Sequence, residues 1–216
     1  MAKDVRPLLS RLEQLYTAVV SDSLDQLGFR HQAMAPTIRP LFSGARLAGV
    51  AATVLAHEVY EIPDEPYIKE LEAVDRLEPD EVMVVSHVDG CYFGELLATA
   101  AVARGSRGLV LDGFVRDAQR IIHMRFPAFI RGISPLDSLG RMDVADVQVP
   151  VVCGGVRVAA GDLVLADYDG VVVVPRRVAE ETITRAEDKV RGENLVRGAL
   201  EKGASVVETF RKYGVI

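Results

Sequence analysis

Hydrophobic positions recur at two different periods along this chain, and the switches between them sketch its architecture. Leu8, Leu9, Leu12, Leu15, Tyr16 and Val19 return at three- and four-residue intervals, which predicts an amphipathic helix. Ser21-Asp22-Ser23 offers caps for a second helical piece that stops at Gly28. Pro36 and Pro40 mark an extended connection, and Val50 to Val59, rich in β-branched and small residues, predicts a strand. The acidic stretch from Glu58 to Asp80 reads as a surface helix with its loops. Glu81 to Ser86, Gly108 to Leu111 and Phe126 to Ile130 read as short buried strands. A helix over Phe93 to Arg104 and a short one from Asp117 separate them. Such alternation implies parallel pairing with crossovers.

Beyond Gly132 the pattern changes. Ala145 to Cys153, Val156 to Val158, Leu163 to Asp167 and Val171 to Val174 are strand-like runs broken by Gly-Gly, Ala-Gly-Asp and Asp-Gly, which predicts antiparallel hairpins. Two helices close the chain, from about Val178 to Lys202 and from about Ser205 to Tyr213. With no Pro/Ser-rich linker and no repeat, residues 1–216 read as one α/β domain. A central sheet, a second β-rich layer and outer helices make it up.

Composition narrows the class. Of the 216 residues, 49% are hydrophobic and 26% charged, which suits a packed globular domain. A net charge of −6 argues against nucleic acid as a partner, since phosphate binding needs clustered Lys and Arg. Leu47 to Ala56 is the longest apolar run and is too short to span a bilayer. The first residues carry no apolar signal core, so a cytoplasmic protein is expected. Cys91 and Cys153 stand apart from each other and from any histidine cluster, and read as reduced packing thiols.

The chemistry-bearing motifs are few. There is no G-x-S-x-G elbow, HExxH pair, Walker loop or G-x-G-x-x-G turn, and the four histidines share no ligand spacing. Two glycine-containing loops remain, Asp89 to Glu95 and Asp112 to Asp117, each between a strand and a helix. Ligands collect outside the carboxyl ends of strands in open α/β sheets, and helix N-termini suit carboxylates. Arg116 can fork onto a carboxylate or carbonyl oxygen, and Asp117 can hold a hard divalent cation. From this segment alone an equal reading is that Asp117 only caps the helix and Arg116 faces solvent.

The chain resembles the RraA-like family, which includes metal-dependent 4-hydroxy-4-methyl-2-oxoglutarate aldolases, oxaloacetate decarboxylases and the regulator of ribonuclease E activity. Matching text runs nearly end to end: Val20 to Asp25, Gly94 to Ala101, Leu111 to Asp117, Val149-Pro150-Val151, Cys153-Gly154-Gly155, Gly161-Asp162 and Asp167 to Pro175. The resemblance implies a swivelling-domain-like β/β/α layering. It also implies a Mg²⁺- or Mn²⁺-dependent lyase that releases pyruvate from a small 2-oxo acid by aldol cleavage or decarboxylation. The alternative it implies is a protein-binding regulator of the ribonuclease E type. The family's site motif is an acidic residue, twenty intervening residues, then Arg-Asp; Glu95, Arg116 and Asp117 occupy it here. By resemblance, Asp117 ligates the metal, Glu95 steadies metal-bound water, and Arg116 binds substrate with the backbone of Gly94, Leu96 and Leu97. Glu193, on the face of Ile183, Ala186 and Val190, is either a helix edge or a base reaching a neighbouring subunit's site in a homotrimer or dimer of trimers.

One departure stands out. Where the aldolases carry an acidic residue three positions after the metal-binding Asp, this chain has Arg120. Arg120 either pairs with Asp117 across a helix step or reads an extra substrate carboxylate. Asp167-Tyr168-Asp169-Gly170 reads as a hairpin turn rather than a metal-binding run. The two loops hold no lysine for a Schiff base, and no glycine-rich loop suited to S-adenosylmethionine follows the first strand, which excludes a quinone methyltransferase.

Overall fold

The computed structural model describes residues 5–214. Two helices open it, α1 (Arg6–Leu12) and α2 (Thr17–Gln26), followed by strands β1 (Arg39–Pro40) and β2 (Leu47–Glu58). Next come α3 (Ile68–Asp75), β3 (Glu81–Val85), β4 (Cys91–Phe93), α4 (Glu95–Ala103), β5 (Gly108–Val115), α5 (Ala118–His123) and β6 (Ala128–Ile133). Strands β7 (Met142–Val147), β8 (Val151–Cys153), β9 (Val156–Val158), β10 (Leu163–Asp167) and β11 (Gly170–Val174) precede the long α6 (Ala179–Leu200) and α7 (Val206–Tyr213). No described helix is long and apolar enough to cross a membrane.

Nine strands form one mixed sheet in the order β1-β6-β5-β3-β2-β10-β11, with β4 beside β5 and β7 beside β2. The β2–β3, β3–β5, β4–β5 and β5–β6 pairs are parallel, as strand–helix alternation predicts. Strand β2 is long enough to pair with β10 through its first residues and with β7 through its last. The sheet thereby curls nearly into a barrel, with the helices outside.

Period-two alternation explains the curl. Val82 and Val84, Val110, Phe129, Val164 and Ala166, Val171 and Val173 all point into one buried cluster. The hairpin β8–β9 plugs that interior with Val151, Cys153, Val156 and Val158. Their sequence neighbours point outward: Met83, Val85, Leu109 and Leu111 meet α3, α4 and α5, whereas Leu163, Leu165, Val172 and Val174 meet α1, α2 and α6. Both faces of β3, β5, β10 and β11 are therefore buried, which is why these strands read as continuous apolar runs.

The expected second β-rich layer is corrected in one respect. Strands β7, β10 and β11 continue the central sheet, because β2 pairs with β7 and β10 and β10 in turn pairs with β11, and only β8–β9 stands apart. The single expected strand from Ala145 to Cys153 divides at Gln148, whose φ of 58° breaks the ladder. Residues Asp112 to Val115, expected as loop, extend β5 because β4 and β6 both pair with them. The Asp167-to-Gly170 segment is a hairpin turn as expected, and Asp167 also holds the start of α2 through Thr17 N and Oγ1 at 2.8 and 2.6 Å.

Phe129 is fully buried where β6 faces the hairpin plug. Phe129→Ala is expected to cost about 3–5 kcal/mol, read as a lowered midpoint in denaturant unfolding with an unchanged slope.

Candidate functional site

Three parallel strands, β4, β5 and β6, deliver their carboxyl ends to one place. Gly94 follows β4, Arg116 and Asp117 follow β5, and Asp137 and Ser138 lie in the segment after β6. These residues surround a pocket of about 270 Å³, closed on its far side by Tyr67, Glu70 and Leu71 from α3 and its approach.

The β4–β5 pairing continues one step past both strands, where Arg116 N donates to Phe93 O at 2.9 Å. Asp117 then turns left-handed, with φ 53° and ψ 30°. It occupies the N-cap position of α5 but makes no side-chain capping bond. Its Oδ2 instead lies 3.4 Å from Glu95 N, at the start of α4. A Cβ on Gly94 would sit 3.0 Å from that Oδ2 and 3.2 Å from Arg116 Cγ, tighter than ordinary contact, so a larger residue here would push the Arg116 and Asp117 side chains aside. The amides of Leu96 and Leu97, in the first turn of α4, are left without helical acceptors beside the pocket.

Arg116 is fixed rather than free in solvent. Its Nη1 donates to Asp137 Oδ1 at 3.0 Å, and its Nε lies 3.9 Å from Asp117 Oδ2. Tyr67 donates its hydroxyl to Asp137 Oδ2 at 2.7 Å, and Ser138 N donates to Oδ1 at 2.8 Å. The Tyr67 hydrogen bond and the Arg116 charge hold the Asp137 carboxyl below its usual range. Behind this group Glu70 is 7% exposed and accepts from Ser138 Oγ at 2.9 Å. Burial pushes its carboxyl up to about 7; Asp137 and Asp143 add to the rise, and the Ser138 bond and Arg116 oppose it.

The RraA-like family, described as Aldolase/RraA, matches residues 17–173. The chain belongs to this family. A relative from Halalkalibacterium halodurans, named "Putative 4-hydroxy-4-methyl-2-oxoglutarate aldolase", is 26% identical over 94% of this chain and 92% of its own length. An uncharacterised Pseudomonas syringae protein of known structure superposes with a TM-score of 0.87 at 30% identity, covering 96% of this chain and 94% of its own. Streptomyces coelicolor RraAS2, described as an unusual member of the RNase ES inhibitor RraA protein family, gives 0.79 at 30% identity over 88% and 96% of the two chains.

The residues of the RraA-like motif are not all brought to the pocket. Gly94, Leu96, Leu97, Arg116 and Asp117 line it; Glu95 does not. The Glu95 carboxylate accepts from Thr99 Oγ1 at 3.3 Å and lies 3.7 Å from Arg120 Nη1. Of the two readings open for Arg120, pairing with Asp117 gives way to pairing with Glu95, and Arg120 does not line the pocket. The Arg120 side chain is 75% exposed and turns to Glu95, leaving Asp117 to face the α4 amides. Glu193 lies on α6 apart from this pocket, where the Tyr16 hydroxyl donates to it and Lys189 Nζ lies 3.8 Å away.

Among the described residues no group of three or more His, Cys, Asp or Glu side chains converges as a metal cage. Asp117 presents an exposed carboxylate at the pocket, whereas that of Asp137 is taken up by Arg116 and Tyr67. That donor set fits a cation such as Mg²⁺, which is held through one or two carboxylates and keeps water or substrate at its other positions. Among the described residues no lysine lines the pocket. Burial pushes the Cys91 thiol up to about 11 and raises Cys153 further, so neither is a nucleophile at neutral pH.

Tyr67, Glu70, Asp137 and Ser138 were not found from sequence. One signal was present: Glu70 shares a helical stripe with Ala73, Val74 and Leu77, all buried, so a carboxylate occupied a core position.

The raised Glu70 carboxyl has a stability consequence. Between about pH 4.5 and 7 the folded chain keeps this proton while the unfolded chain has lost it, so stability falls as pH rises through that window. Glu70→Gln is expected to remove up to about 3 kcal/mol of that decline, seen in denaturant unfolding of both proteins at pH 5 and pH 8.

Proposed function

We propose that this protein is a divalent-metal-dependent carbon–carbon lyase that releases pyruvate from a small 2-oxo acid, with Mg²⁺ or Mn²⁺ held by Asp117. The observation that carries the reading is the Arg116–Asp117 turn: one guanidinium locked by Asp137 beside one uncapped carboxylate, in a pocket walled by Gly94 and the α4 amides.

The bound cation would supply Lewis-acid charge to the 2-oxo and carboxylate oxygens of the substrate. Arg116 has donors left after its bond to Asp137, and it adds positive charge where the enolate oxygen develops. Because Asp137 fixes the guanidinium beforehand, little ordering is left to occur during reaction. The amides of Leu96 and Leu97 suit a substrate carboxylate, as helix N-termini do.

Decarboxylation of oxaloacetate and aldol cleavage of 4-hydroxy-4-methyl-2-oxoglutarate pass through the same enolate. Aldol cleavage also needs a base for the hydroxyl proton. Glu95 is engaged by Thr99 and Arg120 outside the pocket, so decarboxylation is supported with fewer requirements. A homotrimer or dimer of trimers belongs to this reading, with the partner subunit's Glu193 as the base the single chain lacks.

The likeness to RraAS2 favours a second reading, a protein-binding regulator of the ribonuclease E type with little or no catalysis. One experiment separates the two: pyruvate release from both substrates with Mg²⁺ or Mn²⁺, then with chelator. The lyase reading expects metal-dependent turnover, abolished by Asp117→Ala and lowered about 10²–10³-fold in kcat/KM by Arg116→Ala. No turnover on either substrate leaves the regulator.

A further inference from the structure

The lining of the pocket includes two groups that substrate binding does not explain. Glu70 is buried there with one oxygen, Oε2, held by Ser138. Tyr92 is 1% exposed and lines the same pocket, yet its hydroxyl has no hydrogen-bond partner among the described residues. It lies near enough to Glu70 to feel the carboxylate charge. A buried hydroxyl without a partner is costly, and such a cost is sustained where a ligand or reacting group completes the bond.

Resting on the lyase reading, we infer that Glu70 is the acid that protonates the methylene carbon of the pyruvate enolate, with the Tyr92 hydroxyl beside it. Once the carbon–carbon bond has broken, the enolate must gain a proton at C3 to become pyruvate. In this step the Glu70 O–H bond breaks and a C3–H bond forms from the C2=C3 electron pair. The C2=O double bond is restored, and the Glu70 carboxylate regains its proton from solvent. Asp117, Asp137 and Arg116 do not serve: the first would hold the cation and lies against the Glu95 amide, the second is held below the usual carboxylate range, and the third does not release a proton. The elevated carboxyl of Glu70 keeps a proton available near neutral pH, where general acids work best.

The reverse of this step is measurable by itself. Wild-type protein with Mn²⁺ should exchange the methyl protons of pyruvate for deuterium in D₂O, followed by proton NMR. Glu70→Gln retains the shape and an acceptor for Ser138 but has no transferable proton. It should slow methyl exchange about 10²-fold or more and slow oxaloacetate consumption by a smaller factor, because enolate can escape and take its proton from water. Glu70→Asp, which keeps an acid one methylene shorter, should recover part of the exchange. It also provides the comparison if the glutamine variant does not fold, because exchange should then fall more than consumption in the aspartate variant. Wild-type exchange in either folded variant, or an equal fall in both rates, overturns the role of Glu70. Wild-type protein that neither exchanges pyruvate nor consumes oxaloacetate overturns the lyase reading itself, and Glu70's role with it.

Discussion

The close approach of Gly94 to the Arg116–Asp117 turn is the constraint on which the site depends. It follows from β4 pairing in parallel with β5 and from the extra bond between Arg116 N and Phe93 O. That register brings the start of α4 against the left-handed Asp117, so closely that a side chain at position 94 would displace those of Arg116 and Asp117. An aspartate at a helix start would ordinarily cap its own helix. Here the turn denies it that role and presents the carboxylate to a neighbouring helix and to the pocket.

The rest of the fold holds this approach in place. A sheet buried on both faces has little freedom to slip, because a one-residue shift would exchange the interior valines for the outward leucines. The β8–β9 plug fills the interior, and α3 to α5 clamp the outer face under the pocket. The loops after β4, β5 and β6 are thus fixed relative to one another, and Arg116 meets Asp137 from a different strand end. A site assembled from several strand ends suits differential binding, since its charges are ordered before substrate arrives.

Much of this arrangement was legible in the sequence. Buried strands appear as apolar runs, and α6 spans Ala179–Leu200 where periodicity placed it from about Val178 to Lys202. The Gly94 and Arg116-Asp117 loops were readable because glycine, guanidinium and carboxylate stand together at strand-to-helix junctions. The opposite wall was not. Tyr67 and Glu70 lie in an acidic segment that reads as surface, and they reach the pocket only because α3 packs against the outer face of the sheet. Asp137 sits in an irregular segment with no period at all, and its partner Arg116 is twenty-one residues away. Arg120 shows the same limit: helix spacing offered Asp117, but the fold placed Glu95 closer to its guanidinium.

Oxalate, a flat dianion shaped like the enolate of pyruvate, provides the most direct measurement of the central claim, that Arg116 and Asp117 form one charge-complementary site for a 2-oxo acid. Calorimetric titration with Mn²⁺ present should show oxalate binding that chelator removes and that Asp117→Ala and Arg116→Ala each weaken at least tenfold. Oxalate binding that ignores both metal and these two residues, or no binding at all, would contradict it.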